Sequence, residues 1–145
     1  MDFFEANGCC VSDHGLEYVM YKPASFETVE EIFAKRFKGE VITHEEELVF
    51  KTAFMVALGK EYNKKNWVMQ LHYGVKRDNN KAVFNKLGPD AGIDCINNFA
   101  PSSEMADYLN ALAITDELPK TILYSLNPMD NAAIGTIIGC FQDSS

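Results

Sequence analysis

The chain has 145 residues, of which 47% are hydrophobic and 12% aromatic, and this is enough for one globular unit with a core. Its formal net charge is −8, from 13 Lys and Arg against 21 Asp and Glu, so no basic stripe is present that would neutralise nucleic-acid phosphates. The sequence has no apolar run of about 18 residues and no basic signal-peptide region, which predicts a soluble, cytoplasmic protein without a membrane partner.

The first predicted element is the tail of a helix at residues 3–7, with Gly8 as its left-handed cap. This helix would start before Met1, which suggests that the sequence is a piece of a longer protein. A strand-like run at residues 9–12 follows and ends in Asp13-His14-Gly15. An extended connection then leads to a helix over residues 26–38, with an N-cap at Ser25.

A second, longer helix is predicted from the capping box of Thr43 and Glu46 to about Tyr62. Apolar residues cover most of its circumference, so we expect it to pack between a sheet and other elements. A buried strand at residues 67–71 follows and ends in His72. The segment from residue 74 to residue 99 is predicted to be irregular, with a short helical piece at residues 82–87, and irregular segments of this length are uncommon unless functional.

The last predicted elements are a helix over residues 102–113, a third buried strand over residues 120–126, and a helix opened by Asn127 and Pro128. Strands that alternate with helices imply right-handed crossovers and a parallel sheet. The sequence therefore predicts an α/β fold, with residues 1–145 as a single segment. In a parallel sheet all strands end at one edge, so Asp13, His72 and the Asn127 turn should lie there together.

Three side chains near these strand ends carry candidate chemistry. Asp13 and His72 would form an acid/base or hydrogen-bonding pair on a substrate. The alternative is that both residues only hold neighbouring loops in place. Arg77 has the planar fork that suits a carboxylate, although a solvated loop arginine is the competing interpretation. His14 should point to the opposite side of the strand from Asp13, because successive strand side chains alternate.

Other residues are not assigned to a site. The sequence contains no HxH, no HExxH and no cysteine cluster, so no metal ligands are assigned within this chain. We interpret the four cysteines as buried free thiols, since the vicinal pair rarely forms a structural disulfide; they are Cys9, Cys10, Cys95 and Cys140. Gly135 and Gly139 should allow another backbone to approach the last helix closely.

Several long runs, in order along nearly the whole chain, resemble the uronate isomerase (glucuronate isomerase) family of the amidohydrolase superfamily: GCCVSDHGL, WVMQLHYGVKRDNN, KLGPDAGID and LPKTILYSLNPMDNAAIGTIIGCFQ. The resemblance implies a partial (β/α)8 TIM-barrel segment with extra helices. It also implies aldose–ketose isomerisation of D-glucuronate to D-fructuronate and of D-galacturonate to D-tagaturonate. The family's acidic residue, strand-end histidine and loop arginine fall on Asp13, His72 and Arg77. By resemblance, Asp13 and His72 are catalytic and Arg77 binds the substrate.

The resemblance also implies a divalent metal, expected to be zinc, in the full-length family. The HxH and the Asp that hold this metal have no counterpart here, so none is expected in this chain alone. Val11 and Met129 stand where the family commonly has an arginine and a basic residue. We expect a homo-oligomer that acts on a small uronate. The alternative is a non-catalytic folded fragment that self-associates through open strand edges or binds a partner.

Overall fold

The computed structural model describes residues 1–142 of the chain. Its strands are, in chain order, β1 (Val11–Gly15), β2 (Val68–Tyr73), β3 (Val75–Lys76), β4 (Cys95–Ile96) and β5 (Thr121–Ser125). Its α-helices are α1 (Asp2–Ala6), α2 (Phe26–Phe37), α3 (His44–Lys64), α4 (Lys81–Leu87), α5 (Ser102–Ala113) and α6 (Asn131–Cys140). A 3-10 turn, Pro128–Asp130, leads into α6.

Strands β1, β2 and β5 form a parallel sheet with β2 in the centre. In the register of this sheet, Gly15 of β1 pairs with His72 of β2, which in turn pairs with Tyr124 of β5. Because the strands are parallel, all three end on the same side of the sheet, which we call the carboxyl edge. This is the parallel arrangement that the alternation of strands and helices predicted.

The two faces of this sheet are buried to very different degrees. On the covered face, Met69, Leu71 and Tyr73 of β2 are buried in a core shared with α3 and α5. The other face, which we call the open face, carries Val11, Asp13, Gln70, His72, Ile122 and Tyr124. Ile122 is 42% exposed and Tyr124 is 39% exposed, so the prediction of β5 as a buried strand is wrong. The described helices bury only one face of the sheet.

Helix α3 begins as predicted, because Thr43 and Glu46 form both hydrogen bonds of the capping box. The residues that it buries lie on one helical face: Leu48, Thr52, Met55, Gly59 and Tyr62. Phe54, on the other side, is 54% exposed, so the expectation that α3 is covered on several sides is wrong. Instead, Phe50 and Phe54 continue a row of stacked rings that begins with Phe37 and Phe33 of α2.

The segment between β2 and α5 is more ordered than the sequence predicted. Gly74 has φ +87° and turns the chain out of β2. The two-residue strands β3 and β4 then pair antiparallel, with Val75 opposite Ile96. Asn80 caps α4 through the N–H of Val83. Strands of two residues are too short for an alternating pattern to be recognisable in the sequence.

Three further expectations are corrected. Strand β1 lies two residues later than the predicted run, because Cys9 still hydrogen-bonds to the end of α1 through Phe4. The cysteines are free but not buried: Cys9 is half-buried and the other three are exposed. Among residues 1–142, no backbone from another element approaches Gly135 or Gly139, since a Cβ on either would meet no atom within 4 Å beyond its own helix. No helix within residues 1–142 is long and apolar enough to cross a membrane.

Candidate functional site

Asp13 and His72 meet on the open face of the sheet, close to the carboxyl edge. His72 Nδ1 lies 2.6 Å from Asp13 Oδ1, so the imidazole N–H donates to the carboxylate. The side chain of His72 is 48% exposed and that of Asp13 is 54% exposed. Both groups sit within strands rather than in the loops that follow them, which holds them more rigidly than a loop would. The predicted pair is therefore formed and open to solvent.

Two further side chains extend this pair across the sheet. The ring of Tyr124 stacks on the imidazole of His72, with the ring centroids 4.3 Å apart and the planes inclined by 27°. The hydroxyl of Tyr124 donates to Gln70 Oε1 at 2.8 Å. Neither residue was predicted from the sequence. For Gln70 a signal was available, because the period-two alternation of strand side chains puts Gln70 and His72 on the same face of β2.

His14 lies on the covered face, opposite Asp13, as the alternation of strand side chains predicted. Its Nε2 is 2.9 Å from the hydroxyl oxygen of Tyr62 on α3. Burial lowers the pKa of His14, and the nearby charge of Asp13 offsets this only in part. His14 therefore faces the core, away from the open-face pair.

Arg77 lies at the carboxyl edge beside the end of β1. A Cβ placed on Gly15 would be 3.5 Å from Arg77 Nη2, an ordinary van der Waals distance, so the guanidinium lies directly beside this glycine. Arg77 Nη1 donates to Asp94 Oδ2 at 3.2 Å, and Asp90 is a more distant partner at 3.8 Å. Because Gly15 pairs with His72 in the sheet, Arg77 reaches the same edge as the Asp13–His72 pair.

The turn at Asn127 closes the same edge next to β2, as predicted. Asn127 is buried, and its Oδ1 accepts a hydrogen bond from the N–H of Met129. The N–H of Leu126 donates to the carbonyl of Tyr73 at 3.0 Å, which ties the turn to the end of β2. The hydroxyl of Ser125 donates to Asp130 at 2.6 Å. These bonds hold the turn and the following 3-10 segment in place, so we assign this turn a supporting role.

The site offers few donor atoms for a metal ion. Within residues 1–142, no three His, Cys, Asp or Glu side chains come together in a way that could hold a metal ion. Asp13 and His72 supply one carboxylate and one imidazole, and the imidazole Nδ1 is already engaged by that carboxylate. A zinc centre needs at least three protein ligands. The described residues therefore do not fit a complete metal centre.

α/β proteins bind their ligands at the carboxyl edge of a parallel sheet. In this chain that edge carries an acid, an imidazole and a guanidinium, as expected of a ligand-binding α/β protein. Comparison with known families identifies the protein family. The glucuronate isomerase family matches residues 1–145, so the chain belongs to that family.

Relatives and solved structures agree with this assignment. The chain is 69% identical over 144 residues to the uronate isomerase of Lachnospira eligens, a match that covers 99% of the chain and 31% of that relative. It is 65% identical to the uronate isomerase of Lachnoclostridium phytofermentans, again over 31% of the relative. The crystal structure of uronate isomerase from Thermotoga maritima matches with a TM-score of 0.86 and 35% identity, covering 97% of this chain and 31% of that one.

The glucuronate isomerase structure from Caulobacter crescentus matches with a TM-score of 0.72 and 26% identity, over 89% of this chain and 26% of that chain. The predicted fold class, a partial α/β barrel segment, is thus confirmed. The chain spans about 31% of the length of the curated relatives that it matches.

Proposed function

We propose that the full-length protein that contains this segment is a uronate isomerase. It would interconvert D-glucuronate with D-fructuronate, and D-galacturonate with D-tagaturonate. Membership of the glucuronate isomerase family supports this proposal. The observation that carries it is the Asp13–His72 pair, joined at 2.6 Å on the open face near the carboxyl edge.

The chemistry of the reaction suggests a role for each predicted residue. Aldose–ketose isomerisation moves a proton between adjacent carbons while the substrate oxygens are held in a fixed geometry. Asp13 holds Nδ1 of His72, which leaves Nε2 to accept a hydrogen bond from a substrate hydroxyl or, as an imidazolium, to donate one to a carbonyl oxygen. Asp13 itself has a second carboxylate oxygen for a substrate hydroxyl. We therefore propose both as catalytic residues.

Arg77 is proposed to bind the carboxylate of the uronate. Its planar guanidinium can donate two parallel hydrogen bonds to a carboxylate. Nη1 contacts Asp94, while Nη2 is the nitrogen that lies beside Gly15 at the edge of the sheet. Asp94 would thus orient the guanidinium through Nη1 and leave Nη2 and Nε to donate to the substrate carboxylate.

The remaining parts of the active site are proposed to lie elsewhere in the full-length protein. The family resemblance implies a divalent metal, expected to be zinc, but the described residues do not fit a complete centre. Residues 1–145 would then form one α/β segment in the middle of a metal-dependent barrel. We propose that this chain by itself does not catalyse the reaction.

The location and assembly of the protein are further proposals. Three exposed free thiols, Cys10, Cys95 and Cys140, suit a reducing compartment and support a cytoplasmic location. We also propose a homo-oligomer, supported by an exposed aromatic surface on α2 and α3 that includes Phe33, Phe37 and Phe54. Light scattering of the full-length protein would measure its mass, and a monomer would contradict the oligomer.

The function is tested by measuring isomerisation of glucuronate and galacturonate by the full-length protein. Arg77→Ala should lower kcat/KM on the order of 10²-fold, because a charged partner of the substrate carboxylate is lost. The control is Arg36→Ala, which removes an exposed guanidinium from α2 and should retain wild-type kinetics. Wild-type protein inactive on both uronates would overturn the function. An unchanged kcat/KM in Arg77→Ala would overturn only the role of Arg77.

A further inference from the structure

The stacked pair of Tyr124 and His72 points to a role that the sequence did not suggest. We propose that Tyr124 is a positioning residue, which fixes the plane of the His72 imidazole and is itself held by Gln70. The inference builds on the proposed function, since His72 is the group that would act on the substrate. The observations that carry it are the 4.3 Å separation of the two rings and the 2.8 Å hydrogen bond from Tyr124 to Gln70.

His72 needs such a support because its other contact does not fix the ring. Rotation of an imidazole about its χ2 bond has a broad energy profile, so a single hydrogen bond restrains it weakly. That hydrogen bond, to Asp13, joins two side chains that are each about half exposed. A ring packed face to face against the imidazole restricts its tilt, whereas the Asp13 bond fixes only the direction of Nδ1.

Tyr124 is well placed to act as that rigid surface. Its backbone pairs with His72 in the β2–β5 ladder, so its side chain starts directly beside the imidazole. Its hydroxyl is anchored to Gln70, which lies two residues before His72 on the same face of β2. The phenol is thus held at both ends by the strand that carries His72. Movement of the phenol away from the imidazole would require one of these two attachments to break.

A double-mutant cycle on the full-length enzyme tests the tether. Tyr124→Phe keeps the stacked ring and removes the hydroxyl, while Gln70→Met keeps the length of the side chain and removes the acceptor. Each should lower kcat about tenfold with little change in KM, because a misplaced catalytic group costs rate rather than substrate affinity. The double variant should be no slower than the slower single variant. Fully additive effects would contradict a shared action on His72.

A spectroscopic readout separates this role from a general structural one and does not need activity. In protein with labelled histidines, His72→Asn identifies the imidazole signals of His72. Those signals should lie upfield in the wild type because of the ring current of Tyr124, and should move downfield in Tyr124→Leu. Tyr124→Phe should keep the upfield position but broaden the signal as the ring becomes mobile. An identical His72 spectrum in the wild type, Tyr124→Leu and Tyr124→Phe would overturn the proposal.

Ile122→Val is the matched control, since Ile122 is on the same strand and the same face but pairs with Gln70 rather than with His72. It should leave both kcat and the His72 signals as in the wild type. A similar loss in Ile122→Val would show that β5 is merely sensitive to substitution, and would overturn the specific role of Tyr124. If the wild type isomerises no uronate, the proposed function fails, whereas the NMR comparison still decides whether Tyr124 positions His72.

Discussion

The imidazole of His14 lies 2.9 Å from the hydroxyl of Tyr62, on the covered face of the sheet. Burial raises the pKa of Tyr62 and lowers that of His14, so both groups are neutral near pH 7. Neutral His14 and Tyr62 share one hydrogen bond between Nε2 and the hydroxyl oxygen, whose direction is set by the imidazole tautomer. A protonated His14 would carry a proton on Nε2 and place a charge in the core.

Because burial lowers the pKa of His14, we expect part of the free energy of unfolding to be lost at acidic pH. An unfolded histidine takes up a proton near its ordinary pKa of 6.5, whereas folded His14 does so only at lower pH. Between the two pKa values the unfolded state binds more protons, so stability falls as the pH is lowered through this window. Urea unfolding of the intact protein at several pH values should show this slope. His14→Gln should flatten it, while His44→Gln, which changes an exposed histidine on α3, should leave it in place.

Two glycine-to-alanine substitutions should have opposite effects on stability. A Cβ at Gly59 would lie 2.7 Å from Leu112 Cδ1, and Leu112 is fully buried and has little room to move. Gly59→Ala should therefore lower the free energy of unfolding by about 1 kcal/mol, because overpacking outweighs the gain in helix propensity. Gly135→Ala, in open space on α6, should raise it by up to about 1 kcal/mol. Two shifts of the same sign would contradict this packing.

Gly74 should be intolerant of any side chain. It has φ +87°, and a Cβ there would lie 3.0 Å from the hydroxyl of Ser125 and 3.3 Å from the backbone N of Leu126. Gly74→Ala should cost roughly 1–3 kcal/mol from the backbone alone, and more from these contacts. The control is Gly39→Ala, which has φ +84° but meets no atom within 4 Å and isolates the backbone cost. Gly74→Ala should therefore melt at a lower temperature than Gly39→Ala, and equal melting temperatures would contradict the contribution of these contacts.

Asp94 should influence substrate binding through Arg77. It accepts a hydrogen bond from Arg77 Nη1 at 3.2 Å and one from the N–H of Asp78 at 2.9 Å. If Arg77 binds the uronate carboxylate, Asp94→Ala should raise KM several-fold with a smaller effect on kcat, because the guanidinium loses its orientation. Asp90→Ala is the control, since Asp90 is 3.8 Å from the same nitrogen. Equal effects of both substitutions would argue against an orienting role for Asp94.

Local signals in the sequence predicted several elements closely. The bounds of α5 match the predicted residues 102–113, and its predicted apolar face is buried: Met105, Tyr108, Leu109 and Leu112. The start of α3 follows from the capping box of Thr43 and Glu46. These features depend on helical periodicity and on hydrogen bonds between residues three apart. Because the interacting residues are only three or four positions apart, a short stretch of sequence is enough to predict these features.

The site was predicted in part. The placement of Asp13 and His72 near one edge follows from the parallel order of the strands, and the structure brings them to hydrogen-bonding distance. Gln70 and Tyr124 were missed, because which residue of β5 faces which residue of β2 depends on the register. Register is set by packing of the whole sheet, and a shift of one residue would turn Tyr124 to the other face.

The sequence by itself determined the alternation of helices and strands, the helix caps, and the family that its ordered runs resemble. Only the tertiary structure decided that Tyr124 stacks on His72, that Arg77 rests beside Gly15, and that one face of the sheet is open. The reason is the separation along the chain. Asp13 and His72 are 59 residues apart and Gln70 and Tyr124 are 54 apart, so their contacts exist only once the sheet has assembled.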